Sequence, residues 1–258
     1  MNTRETISRL RGKADSVYSQ TLQRAYFSLL GHWVNERFAI VAHARTGSNY
    51  LLDGLRTSPA IRMYHEIFAA HNRKLGKDYE KVLSTVFQHE SRSTRMVGFK
   101  VFYNHLMEEE WSKLVALKDL KVIHLTRRNR LRTVISLEIA FKTGQWTKSG
   151  HSSSLQARRI RLEPPKLLRR LEQIEQGETA TRRRFRDRRI LEVVYEDMVR
   201  SPDEAFAAVG GFLGVDGINP GKIPLKRQNP ESLEQLIINY DEIKAVLVDT
   251  RFAEFLNS

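Results

Sequence analysis

The run Phe38-Ala-Ile-Val-Ala42 stops at a short polar loop, His43-Ala-Arg-Thr-Gly47, and the chain then enters helix-type sequence from Asn49 to Arg56. A strand feeding a helix through a glycine-containing loop is the building unit of a parallel sheet. It is also the layout of an anion cradle. Free backbone N–H groups at a helix N-terminus point at a negative group, and the helix dipole adds to the attraction. Gly47 carries no Cβ, so the backbone can come close to a ligand, and Arg45 adds a planar, permanently charged fork. The loop is not a Walker A, which needs G-x-x-x-x-G-K-[ST]; here a single glycine stands with no lysine after it.

A second strand–basic loop–helix lies in Lys121-Val-Ile-His-Leu-Thr126, Arg127-Arg-Asn-Arg130 and Leu131 onward. Arg128 sits at the carboxyl end of the strand, and Ser136 lies about two turns into the helix. Both could face one phosphate. Ile61–Tyr64, Met96–Phe102 and Ile190–Tyr195 add three more strand candidates to Phe38–Ala42 and Val122–Thr126. Several are continuous apolar runs, as in strands covered on both faces. The expected fold is therefore α/β, a parallel sheet flanked by helices, with ligands at the carboxyl ends of the strands. Both basic loops and Glu66 fall at such ends. The 258 residues fit one such domain over 37–258. Residues 1–36 read as a basic amphipathic helical segment, in which Leu10, Val17, Tyr18 and Leu22 recur at helical spacing.

Ala44-Arg45-Thr46-Gly47-Ser48 resembles the 5′-phosphosulfate loop of sulfotransferases that use PAPS (3′-phosphoadenosine 5′-phosphosulfate). Arg128-Asn129 with Ser136 resembles their 3′-phosphate motif. Further matches point to the bacterial carbohydrate branch, the nodulation-factor and trehalose sulfotransferase type. They are Arg132-Thr-Val-Ile-Ser136, Ala140, Thr143-Gly-Gln-Trp146, Val194-Tyr-Glu-Asp197, Phe212-Leu-Gly214 and Leu225-Lys-Arg-Gln228, together with the tail from Leu233 to Phe255.

The resemblance implies a P-loop-NTPase-like sulfotransferase fold and transfer of a sulfuryl group from PAPS, with PAP (3′,5′-phosphoadenosine) as product. The acceptor would be a hydroxyl of a carbohydrate or glycolipid. It also implies roles for residues. Arg45 would balance charge on the phosphosulfate, where many relatives carry a lysine. Thr46, Gly47, Ser48 and Asn49 would cradle the 5′-phosphate, Arg128 and Ser136 would hold the 3′-phosphate, and Lys226 and Arg227 would close over the nucleotide. Glu66 matches the catalytic base of the trehalose-sulfating relatives. A base needs a pKa near the working pH, and flanking Ile67 and Phe68 could desolvate it. His65 is the rival base, since imidazole suits that task. Lys100, at the end of another strand, could reach the sulfate or the acceptor, or simply snorkel. Trp146, Tyr64 and Phe102 could stack on sugar faces.

Net charge +13 attracts anions without choosing among them: nucleotides, acidic glycans, nucleic acid or an anionic membrane surface. It leaves two rival readings, a non-catalytic polyanion binder and a nucleotide kinase on a related sheet. No helix-turn-helix, RRM or zinc-finger pattern favours nucleic acid, and the absent Walker lysine argues against the kinase. The chain has no cysteine, and its histidines lack ligand spacing, so no metal is expected. No signal peptide or membrane-spanning run is legible. The expectation is a cytoplasmic enzyme, peripheral at the inner face of the membrane if the basic surface binds lipid, with room for a homodimer.

Overall fold

A computed structural model describes residues 31–34, 36–70, 73, 78–84, 86–87, 89–146, 153–223 and 229–257. Five strands form one parallel sheet: β2 (Arg37–Ala42), β3 (Ile61–Tyr64), β5 (Met96–Phe102), β6 (Leu120–Thr126) and β7 (Ile190–Val194), in the order β3-β5-β2-β6-β7. The expected strand positions hold, with β2 beginning one residue earlier, β6 beginning two earlier and β7 ending one earlier, because Tyr195 already opens a helix. A separate antiparallel pair joins β1 (His32–Trp33) to β4 (His89–Glu90). The expected helical segment thus gives way to a short strand at residues 32–33, whose backbone pairs with that of β4. Residues 1–30 of that segment lie outside the described residues.

Every residue of β5 and β6 is buried, so their apolar sequence is that of strands covered on both faces. On one face, Phe38, Ile40, Ile123 and Leu125 pack against Leu51, Leu52 and Leu55 of α1 (Ser48–Leu55) and against Phe206 and Val209. The three α1 leucines are fully buried. Truncating any one to alanine costs about 2–5 kcal/mol. On the other face, Ala39, Val41, Phe99 and Val101 meet Phe68, Tyr79 of α2 (Tyr79–Ser84), and Trp111 and Leu114 of α3 (Glu108–Ala116).

A third apolar cluster, farther along the chain, joins α4 (Arg130–Thr143) to α6 (Pro164–Arg184) and the C-terminal helices. Arg130 reaches Glu178 at 2.8 Å, and Arg170 pairs with Glu138, so α4 is pinned to α6 by charge as well as by packing. Between α4 and α6 lies the single turn α5 (Leu155–Arg158). After β7 come α7 (Tyr195–Arg200) and α8 (Pro202–Leu213). Among the described residues no helix is long and apolar enough to cross a membrane.

From β2 the chain runs to β3 on one side, returns through β5, then crosses to β6 and β7 on the other. The carboxyl end of β2 is therefore the point where strand order reverses, and a crevice opens there in such sheets.

Candidate active site

The β2–α1 loop lies at that point. Arg45 has φ 70° and Gly47 φ 89°, both in the left-handed region. Gly47 is required twice over. A Cβ there would stand 2.3 Å from the Tyr195 ring, and the backbone angle itself disfavours a side chain. Gly47 is also the N-cap of α1, and no side chain caps that helix, so its first-turn N–H groups face the crevice with their dipole.

A cavity of about 210 Å³ opens over the loop. Its lining includes Arg45, Gly47, Ser48, Asn49, Glu66, Lys100, Phe102, Ser136 and Trp146, all singled out by sequence. The Arg45 guanidinium is gripped from α4. Nε donates to Ser136 Oγ at 3.0 Å, and Nη1 donates to the Trp146 carbonyl at 2.6 Å, just beyond the helix end. Burial pushes the Arg45 pKa below the ordinary arginine value, yet the group stays cationic.

Opposite the loop, Lys100 is 1% exposed. Its Nζ lies 2.9 Å from Glu66 Oε1 and donates to Asn49 Oδ1 at 2.6 Å. A buried ammonium needs such partners. Burial lowers the Lys100 pKa, and Glu66 opposes that shift. The snorkelling alternative is thereby replaced by a buried cation that bridges Glu66 and the helix cradling the loop. The environment of Glu66 also differs from the desolvated one expected from its neighbours. Phe68 is stacked on Tyr79 and set edge-on to Phe99 on the core side, while the carboxylate is held in an ion pair.

The Glu66 turn is itself anchored. Arg73 Nε donates to the Phe68 carbonyl at 3.1 Å. Its Nη1 and Nη2 donate to the two oxygens of Glu110, at 2.7 and 2.9 Å.

Several expected residues are placed elsewhere. His65 is exposed and does not line the cavity; partial desolvation and the cations of Arg56 and Lys100 hold its imidazole below the ordinary range. Thr46 turns its hydroxyl back to donate to the His43 carbonyl at 2.8 Å, which braces the loop from within. Arg128 lies outside the cavity, its side chain 57% exposed and paired with Asp197, which also takes Arg200. Ser136 is thus brought to Arg45, and Arg128 is not. Tyr64 donates its hydroxyl to Glu90 at 2.9 Å, away from the cavity. Lys226, Arg227 and most of the segment between Trp146 and Ser154 lie outside the described residues.

Besides Arg127, which flanks the expected 3′-phosphate site in sequence, the cavity holds Tyr195, Arg132 and Asn229, which carried no assigned role. Tyr195 seals Gly47 and receives the Arg127 guanidinium over its ring at 4.8 Å. Arg127 and Arg132 line the cavity, as does Asn229, whose Nδ2 donates to Ser136 Oγ at 3.3 Å. The sequence signal for Tyr195 is its place in the Val194–Asp197 motif, directly at the end of a strand; Asn229 has no local signal.

No protein-family model matches the chain. Relatives align along most of it. Nodulation protein H of Rhizobium meliloti (strain 1021) is 27% identical over 232 residues, spanning 84% of this chain and 94% of that protein. Nodulation protein H of Rhizobium tropici is 27% identical over 239 residues, spanning 85% and 92%. Among solved structures, the sulfotransferase from Alicyclobacillus acidocaldarius superposes with a TM-score of 0.52 at 17% identity, covering 87% of this chain and 95% of that one. The chain is similar to Nodulation protein H along most of its length and has the fold of a sulfotransferase. The resemblance drawn from the loop motifs is borne out at that level.

Proposed function

We propose that the protein transfers a sulfuryl group from PAPS to a hydroxyl of a carbohydrate or glycolipid. One observation carries the reading: a single cavity combines an uncapped helix N-terminus, the gripped Arg45 and the Glu66 carboxylate. The donor set fits a phosphosulfate. The α1 N–H groups and Arg45 offer hydrogen bonds and positive charge to the 5′ end. Ser136, Arg127 and Arg132 offer a hydroxyl and cations for a 3′-phosphate. Arg128 would join them on leaving Asp197, and Lys226 and Arg227 remain candidates for the same group.

PAPS supplies the sulfuryl group on a reactive mixed anhydride. Arg45 balances charge that grows on the leaving phosphate, preorganised by Ser136 and the Trp146 carbonyl rather than gathered during reaction. Glu66 takes the proton of the acceptor hydroxyl. Lys100 holds that carboxylate against α1, so that base and cradle keep one geometry. The site at a strand-order reversal supports this reading over a polyanion binder, and the absent Walker lysine and the likeness to Nodulation protein H support it over a kinase. We place the protein in the cytoplasm, where its +13 charge would favour contact with an anionic membrane surface carrying a glycolipid acceptor.

The test is transfer of labelled sulfate from PAPS to a mixed glycan and glycolipid extract, with mass spectrometry of the product. PAP should raise the melting temperature more than ATP does, because stabilisation by mass action follows affinity. Equal shifts with PAP and ATP, and no labelled product, would refute the proposal.

A further inference from the structure

We infer that Phe141 and Trp146 form a platform for one uncharged pyranose ring of the acceptor. The inference rests on the sulfotransferase reading and adds where, and by what chemistry, the acceptor is gripped.

Two large aromatic rings stand at the surface beside the cavity, Phe141 at 60% and Trp146 at 46% exposed. They meet edge to face, with centroids 5.1 Å apart and planes at 88°. Such a T-shaped contact fixes the two planes relative to each other and leaves an indole face for another partner. The indole is also fixed from its backbone. α4 ends at Gly144, in the left-handed conformation with φ 69°, whose N–H closes on the Ala140 carbonyl at 2.9 Å. Thr143 Oγ1 then accepts from the Gln145 N–H at 3.3 Å, and the Trp146 carbonyl takes Arg45 Nη1. The ring is therefore held by a capped helix, by Phe141 and by the catalytic cation.

The rest of the cavity decides the occupant. Trp146 shares its lining with Glu66, Lys100, Asn49, Ser136 and Asn229. An alkyl chain would leave those polar groups without partners at a cost. A pyranose has an apolar C–H face for the indole and a rim of hydroxyls for the carboxylate and amides. One such hydroxyl must reach Glu66 for transfer, and the shared lining puts Trp146 and the base in one space.

The probe is intrinsic fluorescence of the full chain carrying Trp33→Phe. Trp111 is buried, so Trp146 dominates the solvent-sensitive signal. Cellobiose, maltose, trehalose and diacetylchitobiose are titrated without nucleotide, beside 1-octanol and adenosine. At least one disaccharide should shift the emission. Phe141→Ala should weaken that disaccharide roughly fivefold to tenfold, as loss of an aromatic contact does. Trp146→Phe, measured by calorimetry, should keep most of the affinity and Trp146→Ala lose it, which separates loss of the ring from misfolding. A larger response to octanol or adenosine than to every disaccharide overturns the inference, as does no response to any disaccharide. Because nucleotide is absent, a failure of PAP to bind sinks the proposed function without touching this result. PAP binding with no sugar response sinks the platform alone.

Discussion

Arg45 Nε and Ser136 Oγ lie 3.0 Å apart across 91 positions of sequence. The loop expected to hold the 5′ end of a nucleotide and the helix expected to hold its 3′-phosphate are thus joined by a direct hydrogen bond. Loss of the Ser136 hydroxyl therefore reaches both ends of the ligand.

Arg45→Ala should leave the fold intact and remove most turnover. The side chain points into the cavity rather than the core, and a preorganised charge contact of this kind is worth about 3 kcal/mol, roughly a hundredfold in rate. Single-turnover sulfate transfer, with circular dichroism as the control for folding, measures it. Wild-type turnover in the folded variant would remove Arg45 from the mechanism.

Glu66→Gln should lower kcat by roughly 10²–10⁴, the usual range for general-base help, with PAP affinity by calorimetry nearly unchanged. His65→Asn should cost far less, because His65 is exposed and lies off the cavity. Dead His65→Asn beside active Glu66→Gln would move the base to the imidazole.

Arg128→Ala combined with Ser136→Ala should weaken PAP much more than 5′-AMP. Charged hydrogen bonds contribute about 1.5–3 kcal/mol each; both side chains would serve the 3′-phosphate, while the lost Ser136 contact to Arg45 adds a smaller loss shared by both nucleotides. Asp197→Asn loosens the carboxylate that holds Arg128 and should tighten PAP against 5′-AMP. Parallel losses for both nucleotides in the double variant would show that these residues do not read the 3′-phosphate.

Glu110→Gln should lower stability at neutral pH by about 2 kcal/mol, the scale of a hydrogen bond to a charged group, and reduce kcat by loosening the Glu66 turn. The Arg73 fork, aided by the Met107 N–H, holds the Glu110 carboxyl below its ordinary value although burial opposes this. A lowered native pKa means that the unfolded state binds the proton first as pH falls. The stabilisation is therefore full at neutral pH and fades below the ordinary glutamate value of about 4.3. Urea midpoints for both proteins at pH 7 and pH 3.5 test this; a gap that stays constant would discount the ion pair.

The central strands were legible because strands buried on both faces are mostly apolar; the expected bounds of Met96–Phe102 coincide with the observed strand, as do those of Ile61–Tyr64, an edge strand with Arg62 exposed. The β2–α1 loop was legible because a helix start and its glycine are local features. Lys100 was harder to read. A lysine inside an apolar run resembles an error in the pattern, and only Glu66 and Asn49, distant in sequence, explain its burial. Tyr195 and Asn229 enter the cavity from remote segments by packing, which no periodicity encodes. The motif implies Thr46 on the phosphate, but its hydroxyl turns back to the His43 carbonyl.

Ser136 and Trp146 hold the same guanidinium, one from inside α4 and the other from just past its cap. Adding or deleting one residue between them would turn the distal grip by about 100° around the helix axis. That stretch of α4 thus works as a ruler of fixed length. A descendant could replace the residues C-terminal to Trp146 and meet a new acceptor while the cation at the reacting centre stays where it is.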